Sequence, residues 1–263
     1  MDSATIDRIF DEMKEGLLPL LSKIAAAGMP DLSALEGHYD IDAQKKVQNM
    51  LLSYIGFDFD GGAVQKASIP SLWHMHGDIR TTNHYLEDAP LSAIFSAIHE
   101  GGHAIFEQNI DPVFVNTAAE QVNLMGLHES QSRFFENILG RNPNFWKPVY
   151  GQLGELLPQF QTVPFDVFCR AINDVRPSFI RTEADEVTYC LHIILRYEME
   201  KAIFRDHAAT DTLPELWNDK MEELLGIRPA NDAEGILQDM HWSTVPSATS
   251  LPICWAPFTA ACS

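Results

Sequence analysis

Two histidines four residues apart, His99 and His103, with Glu100 beside the first, constrain this chain more than any other feature. Residues at that spacing project from one face of an α-helix, so the segment must be helical if both imidazoles are to reach one metal ion. In that geometry Glu100 lies beside the ion, where it can take a proton from metal-bound water. The neighbouring residues favour the helix. Asp88 can cap the amides that follow it, and Pro90 suits a first turn. Ile94, Ile98 and Phe106 make an apolar stripe, with Phe95, His99 and His103 on the adjoining line. Gly101 and Gly102 oppose it, each costing about 1 kcal/mol against alanine in a helix interior. A substrate or a neighbouring segment that must approach this backbone closely would explain them.

Two histidines and water leave a zinc site incomplete. The run Gly126-Leu127-His128-Glu129-Ser130-Gln131-Ser132-Arg133 offers two adjacent candidates for a third ligand. Consecutive helical residues point roughly 100° apart, so both cannot face one ion, and periodicity alone does not choose between them. A carboxylate from a later helix commonly completes a helical histidine pair, which favours Glu129. Sulfur is not expected at the site. The four cysteines, Cys169, Cys190, Cys254 and Cys262, show no CxxC spacing and read as reduced thiols of a cytoplasmic protein.

Helical patterning dominates the rest. Amphipathic helices are expected over 3–26, 42–54, 89–108, 119–139, 143–157, 176–206, 213–225 and 231–242, the last opened by Asn231 and Glu234 as a capping pair. Gly56, Gly61, Gly62, Pro70 and Gly77 make 56–82 an irregular segment of turns or short strands. The fold class is therefore mainly α, as one continuous unit. The chain has 37 acidic against 18 basic side chains, a formal net charge of −19. Nucleic acid and anionic membrane surfaces are poor partners for such a chain, because both need basic patches. No basic leader precedes the first helix, and no apolar run is long enough to cross a bilayer.

Five stretches in order resemble the carboxypeptidase Taq family, the M32 metallocarboxypeptidases. They are Asp78-Ile79-Arg80-Thr81-Thr82, His99 to His103, His128-Glu129-Ser130-Gln131, Ile180-Arg181-Thr182-Glu183-Ala184-Asp185, and Gly235-Ile236-Leu237-Gln238-Asp239-Met240-His241-Trp242. The resemblance implies a helical metallopeptidase fold and removal of single amino acids from peptide C-termini. It implies Zn2+ or Co2+ held by His99, His103 and Glu129, with Glu100 as general base. A free C-terminal carboxylate needs a cation, and guanidinium gives paired hydrogen bonds that lysine cannot match, so Arg181 is assigned that role with Arg80 second. His241 and Tyr189 are candidates to donate to the oxyanion. Peptides with a free C-terminus are the implied partners, together with a second copy in a homodimer.

The same resemblance marks departures. Residues 1–242 read as a partial catalytic domain that enters the family's fold midway, and 243–263 as a divergent tail rich in Ser, Thr, Pro and Ala. The family's His-Pro-Phe motif is replaced by Ile69-Pro70-Ser71, within the poorly matching stretch 63–76. Frame slips would produce both mismatches. Three functions follow as expectations: a metallocarboxypeptidase, an inactive relative that binds metal or peptide or pairs with a full-length copy, or another oligopeptidase built on the same helical motif.

Overall fold

The protein is described by a computed structural model over residues 2–68, 70–75, 77–115, 117 and 125–238. It is mainly helical with one small sheet. By contacts the described residues form two compact units: Asp31–Ile172, and the segments up to Pro30 and from Asn173 onward.

Within Asp31–Ile172, α2 (Ile41–Ile55) follows α1 (Ser3–Ala27) of the other unit in chain order; the Asp40 side chain accepts from Ala43 N at its start. Gly56 ends it in the left-handed region at φ 100°, where a side chain would be strained. The irregular segment then forms three short strands, β1 (Gly62–Lys66), β2 (Ser71–Met75) and β3 (Asp78–Asn83). β3 is central, parallel to β1 and antiparallel to β2, with Trp73 opposite Arg80. Its alternate residues Ile79, Thr81 and Asn83 are buried, as a strand with one covered face requires. Ile79 packs into a small core with Leu52, Phe57 and Ala104.

The helix α3 (Pro90–Gln108) starts with Pro90 as expected, but no side chain caps it; the Asp88 cap is not made. Next comes α4 (Met125–Arg133), which runs straight into a π-helical turn, Phe134–Leu139, closed by Gly140 N donating to Phe135 O at 2.8 Å. The start of the helix expected over 119–139 lies outside the described residues. The expected helix 143–157 is divided into α5 (Pro143–Trp146) and α6 (Tyr150–Leu156). Pro148 has no amide hydrogen to donate between them. A further helix, α7 (Phe165–Ala171), was not anticipated. Its Phe168 is fully buried with Trp146, Leu153 and Phe160, and this core reaches Ile94 and Ile98 on α3. Each such aliphatic side chain contributes about 1.5–3 kcal/mol by leaving water, so α3 is anchored along its apolar face.

In the other unit, α1 (Ser3–Ala27) is capped by Asp2, and its Phe10 meets Tyr197 edge-on at 5.0 Å. Tyr197 lies on α8 (Thr188–Glu200), which continues into a second π-helical turn, Lys201–Arg205. Here the helix expected over 176–206 is corrected: it begins only at Thr188. Asp185 accepts hydrogen bonds from the Arg176, Val187 and Thr188 amides and from the Thr188 hydroxyl, so it ties an extended approach to a helix start. The helix α9 (Leu213–Leu225) agrees with its expected bounds and buries Trp217, Met221, Leu224 and Leu225. The helix expected over 231–242 is not formed across its described part. Asn231 does accept from Glu234 N at 3.1 Å, but only a single turn, Ile236–Gln238, follows. Leu237 is 71% exposed, so the segment has no buried stripe to sustain a helix. Among the described residues no helix is long and apolar enough to cross a membrane.

Candidate metal centre

His99, His103 and Glu129 each offer a ligand atom, and these atoms all lie within 4.8 Å of one another. The two histidines come from α3 and the carboxylate from α4. His103 Nε2 is 3.2 Å from Glu129 Oε2, and His99 Nε2 is 3.8 Å from Glu129 Oε1. The glycines between the histidines account for this approach. A Cβ on Gly102 would stand 2.8 Å from Ser132 Cα and 2.9 Å from Gln131 O, both backbone atoms of α4. A Cβ on Gly101 would stand 2.6 Å from Leu52 Cδ2 and 2.7 Å from Ile55 Cδ1 of α2. The close approach expected from the sequence is therefore made by neighbouring helices, one on each side.

His128 points elsewhere. Its Nε2 is 2.8 Å from Glu107 Oε1, and its ring stacks on His103 at 4.4 Å between centroids. Of the two adjacent candidates, Glu129 is the one whose carboxylate oxygens approach Nε2 of both histidines.

Burial and charge set the protonation of the cluster. Burial alone would depress His99, yet Glu129 and Glu136 raise it above the ordinary histidine range. Burial lowers His103 to about 4, against the pull of Glu129. For Glu129 burial favours the neutral acid, but His99, the hydrogen bond from His103 and Arg133 outweigh it and hold the carboxyl far below its usual range. Glu100 moves the other way: burial, with Glu129 and Glu136 adding to it, pushes it up to about 7 against His99 and His128. Its Oε2 is buried with no hydrogen-bond partner among the described residues.

Two residues that sequence reasoning missed complete the arrangement. Glu136 Oε2 is 2.7 Å from His99 Nδ1, and Arg133 Nη1 donates to that same oxygen at 2.9 Å. Arg133 Nε also reaches Glu129 Oε1 at 3.3 Å. The signal was present: Glu129, Arg133 and Glu136 are spaced four and three apart, which is one helix face.

The remaining candidates stand apart from this cluster in the chain. Arg80 is on the exposed face of β3 and is held by the Asp78 carboxylate through Nε at 3.0 Å and Nη2 at 2.9 Å. Arg181 and Tyr189 belong to the other unit. They meet each other, with Arg181 Nη1 donating to the Tyr189 hydroxyl at 2.9 Å, while the Tyr189 side chain is buried. His241, Asp239 and Trp242 lie outside the described residues. Cys169 packs on the larger core.

Two imidazoles and a carboxylate form a donor set that fits a divalent cation with nitrogen and oxygen preference, and Glu100, next to His99 in sequence, keeps one buried oxygen without a hydrogen-bond partner among the described residues. This is the class of site found in helical metallopeptidases. The chain belongs to the carboxypeptidase Taq (M32) metallopeptidase family, whose model matches residues 1–246. It is 47% identical over 241 residues to carboxypeptidase 1 of Bacillus subtilis (strain 168), covering 90% of this chain and 48% of that protein. Among solved structures, the crystal structure of BsuCP superposes with a TM-score of 0.92 at 44% identity, covering 99% of this chain and 53% of that one. The M32 carboxypeptidase from Deinococcus radiodurans R1 gives a TM-score of 0.89 at 33% identity, over 98% and 52% of the two chains. The chain thus spans about half the length of the relatives it matches.

Proposed function

We propose that this chain carries the catalytic centre of a metal-dependent carboxypeptidase that removes single residues from the C-termini of peptides. The observation that supports this most is the pairing of the ligand set with Glu100. A buried carboxyl pushed up to about 7 sits next to His99 in sequence, and the Glu129 charge contributes to its upward shift. His99, His103 and Glu129 would hold the ion, Zn2+ or Co2+, which when bound polarises a carbonyl and lowers the pKa of water. Glu100 is the group that takes a proton from the attacking water and returns it to the leaving amine, a task suited to a carboxyl titrating near neutrality.

Arg181 is assigned to the substrate's terminal carboxylate, with Arg80 second. Arg181 is the better choice because it donates to a neutral phenol, whereas Arg80 already holds the Asp78 carboxylate. Tyr189 and His241 are assigned to oxyanion stabilisation. For Tyr189 this requires its hydroxyl, which accepts from Arg181, to donate to the substrate. Sparse cysteines suit a cytoplasmic protein, and a homodimer is the expected assembly.

The test is mass spectrometry of products from an N-blocked peptide with a free C-terminus, with added zinc or cobalt and a Glu100→Gln control. Stepwise loss of single C-terminal residues, reduced at least a thousandfold by Glu100→Gln while metal is retained, is the expected result. Dipeptide or internal products would replace this reading with another oligopeptidase. Metal binding without turnover would leave a relative that keeps the centre and not the reaction.

A further inference from the structure

We propose that Glu136 and Arg133 are positioning residues of the metal centre, holding His99 and Glu129 in the orientation that an ion requires. The inference rests on the reading of His99, His103 and Glu129 as ligands.

An ionised carboxylate can only accept hydrogen bonds, so its contact with His99 Nδ1 places the imidazole proton there. Nε2, the ring nitrogen turned toward Glu129, is thereby the one available to an ion. Outer carboxylates that fix a ligand histidine in this way also raise its basicity. Glu136 does not act alone. Its accepting oxygen also takes Arg133 Nη1, whose Nε reaches Glu129, so one guanidinium bridges the ligand carboxylate and the carboxylate behind the ligand histidine. Arg133 and Glu136 are 5% and 6% exposed, so neither is a solvated surface charge. Arg133 is also a positive charge set between two carboxylates, Glu129 and Glu136.

The backbone contributes to the pairing. Glu136 stands in the π-helical turn that follows Arg133, where the chain winds more widely than an α-helix. His103 lacks such a partner: its Nδ1 is buried without one among the described residues, and its ring is stacked on His128 instead. The two ligand histidines are therefore supported by different means, and only His99 has a charged one.

The experiment uses the full chain and measures zinc affinity by competition with a chromogenic chelator, together with the visible spectrum of the cobalt-loaded protein. Variants are Glu136→Gln, Glu136→Ala, Arg133→Lys and Arg133→Met, with His99→Ala as the site knock-out. A 10- to 100-fold loss of zinc affinity is expected for Glu136→Ala, with an altered cobalt spectrum. Glu136→Gln keeps the shape and an acceptor oxygen, and should fall between Glu136→Ala and the unaltered chain. Arg133→Lys keeps the charge without the fork and should retain more affinity than Arg133→Met. Thermal unfolding without metal identifies variants that fail to fold, for which Glu136→Gln and Arg133→Lys carry the comparison. Unchanged affinity and spectrum in folded variants would overturn the inference and leave these residues a purely structural role. If the unaltered chain binds zinc no better than His99→Ala, the ligand reading itself falls, a result distinct from the first.

Discussion

At the residue scale, Gly102 separates helix propensity from packing. Alanine is about 1 kcal/mol better than glycine in an isolated helix. Here its methyl group would stand 2.8 Å from a backbone atom of α4, which cannot rotate away. Gly102→Ala is therefore expected to destabilise the protein by about 1–3 kcal/mol, the usual cost of overpacking. It should also lower zinc affinity, because α4 carries Glu129. Denaturant unfolding and chelator competition on the same variant check both; a more stable protein with unchanged affinity would contradict the packing argument. Gly101 meets only the ends of the Leu52 and Ile55 side chains, so Gly101→Ala should be milder. The anomaly of two glycines in a helix was legible in the sequence, and a neighbouring segment was one of the two explanations it admitted. Which helices do the pressing was not legible, because that depends on docking between distant segments. Glu136 was missed for a different reason: its role depends on a ring nitrogen that faces away from the ligand cluster.

At the element scale, helix existence was more legible than helix limits. The segments 3–26, 42–54, 89–108 and 213–225 lie within a residue or two of α1, α2, α3 and α9, each with a clear apolar stripe. Two of the misread limits fall where side chains bond to the backbone. Asp185 delays α8, and the Asn231 turn satisfies local amides without leading to a helix. In that same unit, Glu198 on α8 ties α1 and α9 through Lys14 at 3.0 Å and Lys220 at 2.7 Å. Glu198→Ala should cost about 1–2 kcal/mol by leaving two ammonium groups without their shared partner. Burial raises its pKa, but Lys220 and Lys14 lower it further than burial raises it. A depressed carboxyl adds stability above the ordinary carboxylate range and loses it as pH falls through that range. The variant should therefore show a shallower decline in unfolding midpoint between about pH 5 and pH 3; an unchanged decline would remove Glu198 from the account.

At the scale of the whole molecule, net charge and the buried His192 both bear on the response to acid. His192 on α8 is fully buried, and burial lowers it to about 3, with Arg196 and Arg181 adding to the effect. It stays neutral when folded, whereas the unfolded chain protonates it below about 6.5. Unfolding then binds a proton, so this residue withdraws stability progressively from about pH 6.5 down to 3, by at most ~1.4 kcal/mol per pH unit. His192→Gln should flatten that part of the curve in urea titrations at pH 7 and pH 5, where Glu198 contributes little. A net charge of −19 works in the opposite sense, since mild acid relieves self-repulsion. The balance between these effects was not legible from composition, because the burial that lowers His192 does not show in a count of histidines.

The glycine pair also bears on timing. During synthesis His99 and His103 emerge well before Glu129. A segment with two adjacent glycines spends little time helical on its own, so the nascent histidines are seldom on one face. A strong helix former at those positions would give the unfinished chain a ready two-point chelator, open to any passing ion. With glycine there, the histidines reach a common orientation only after α2 and α4 have docked. Ion capture is then expected to wait for the third ligand, which would favour the complete site over a partial one.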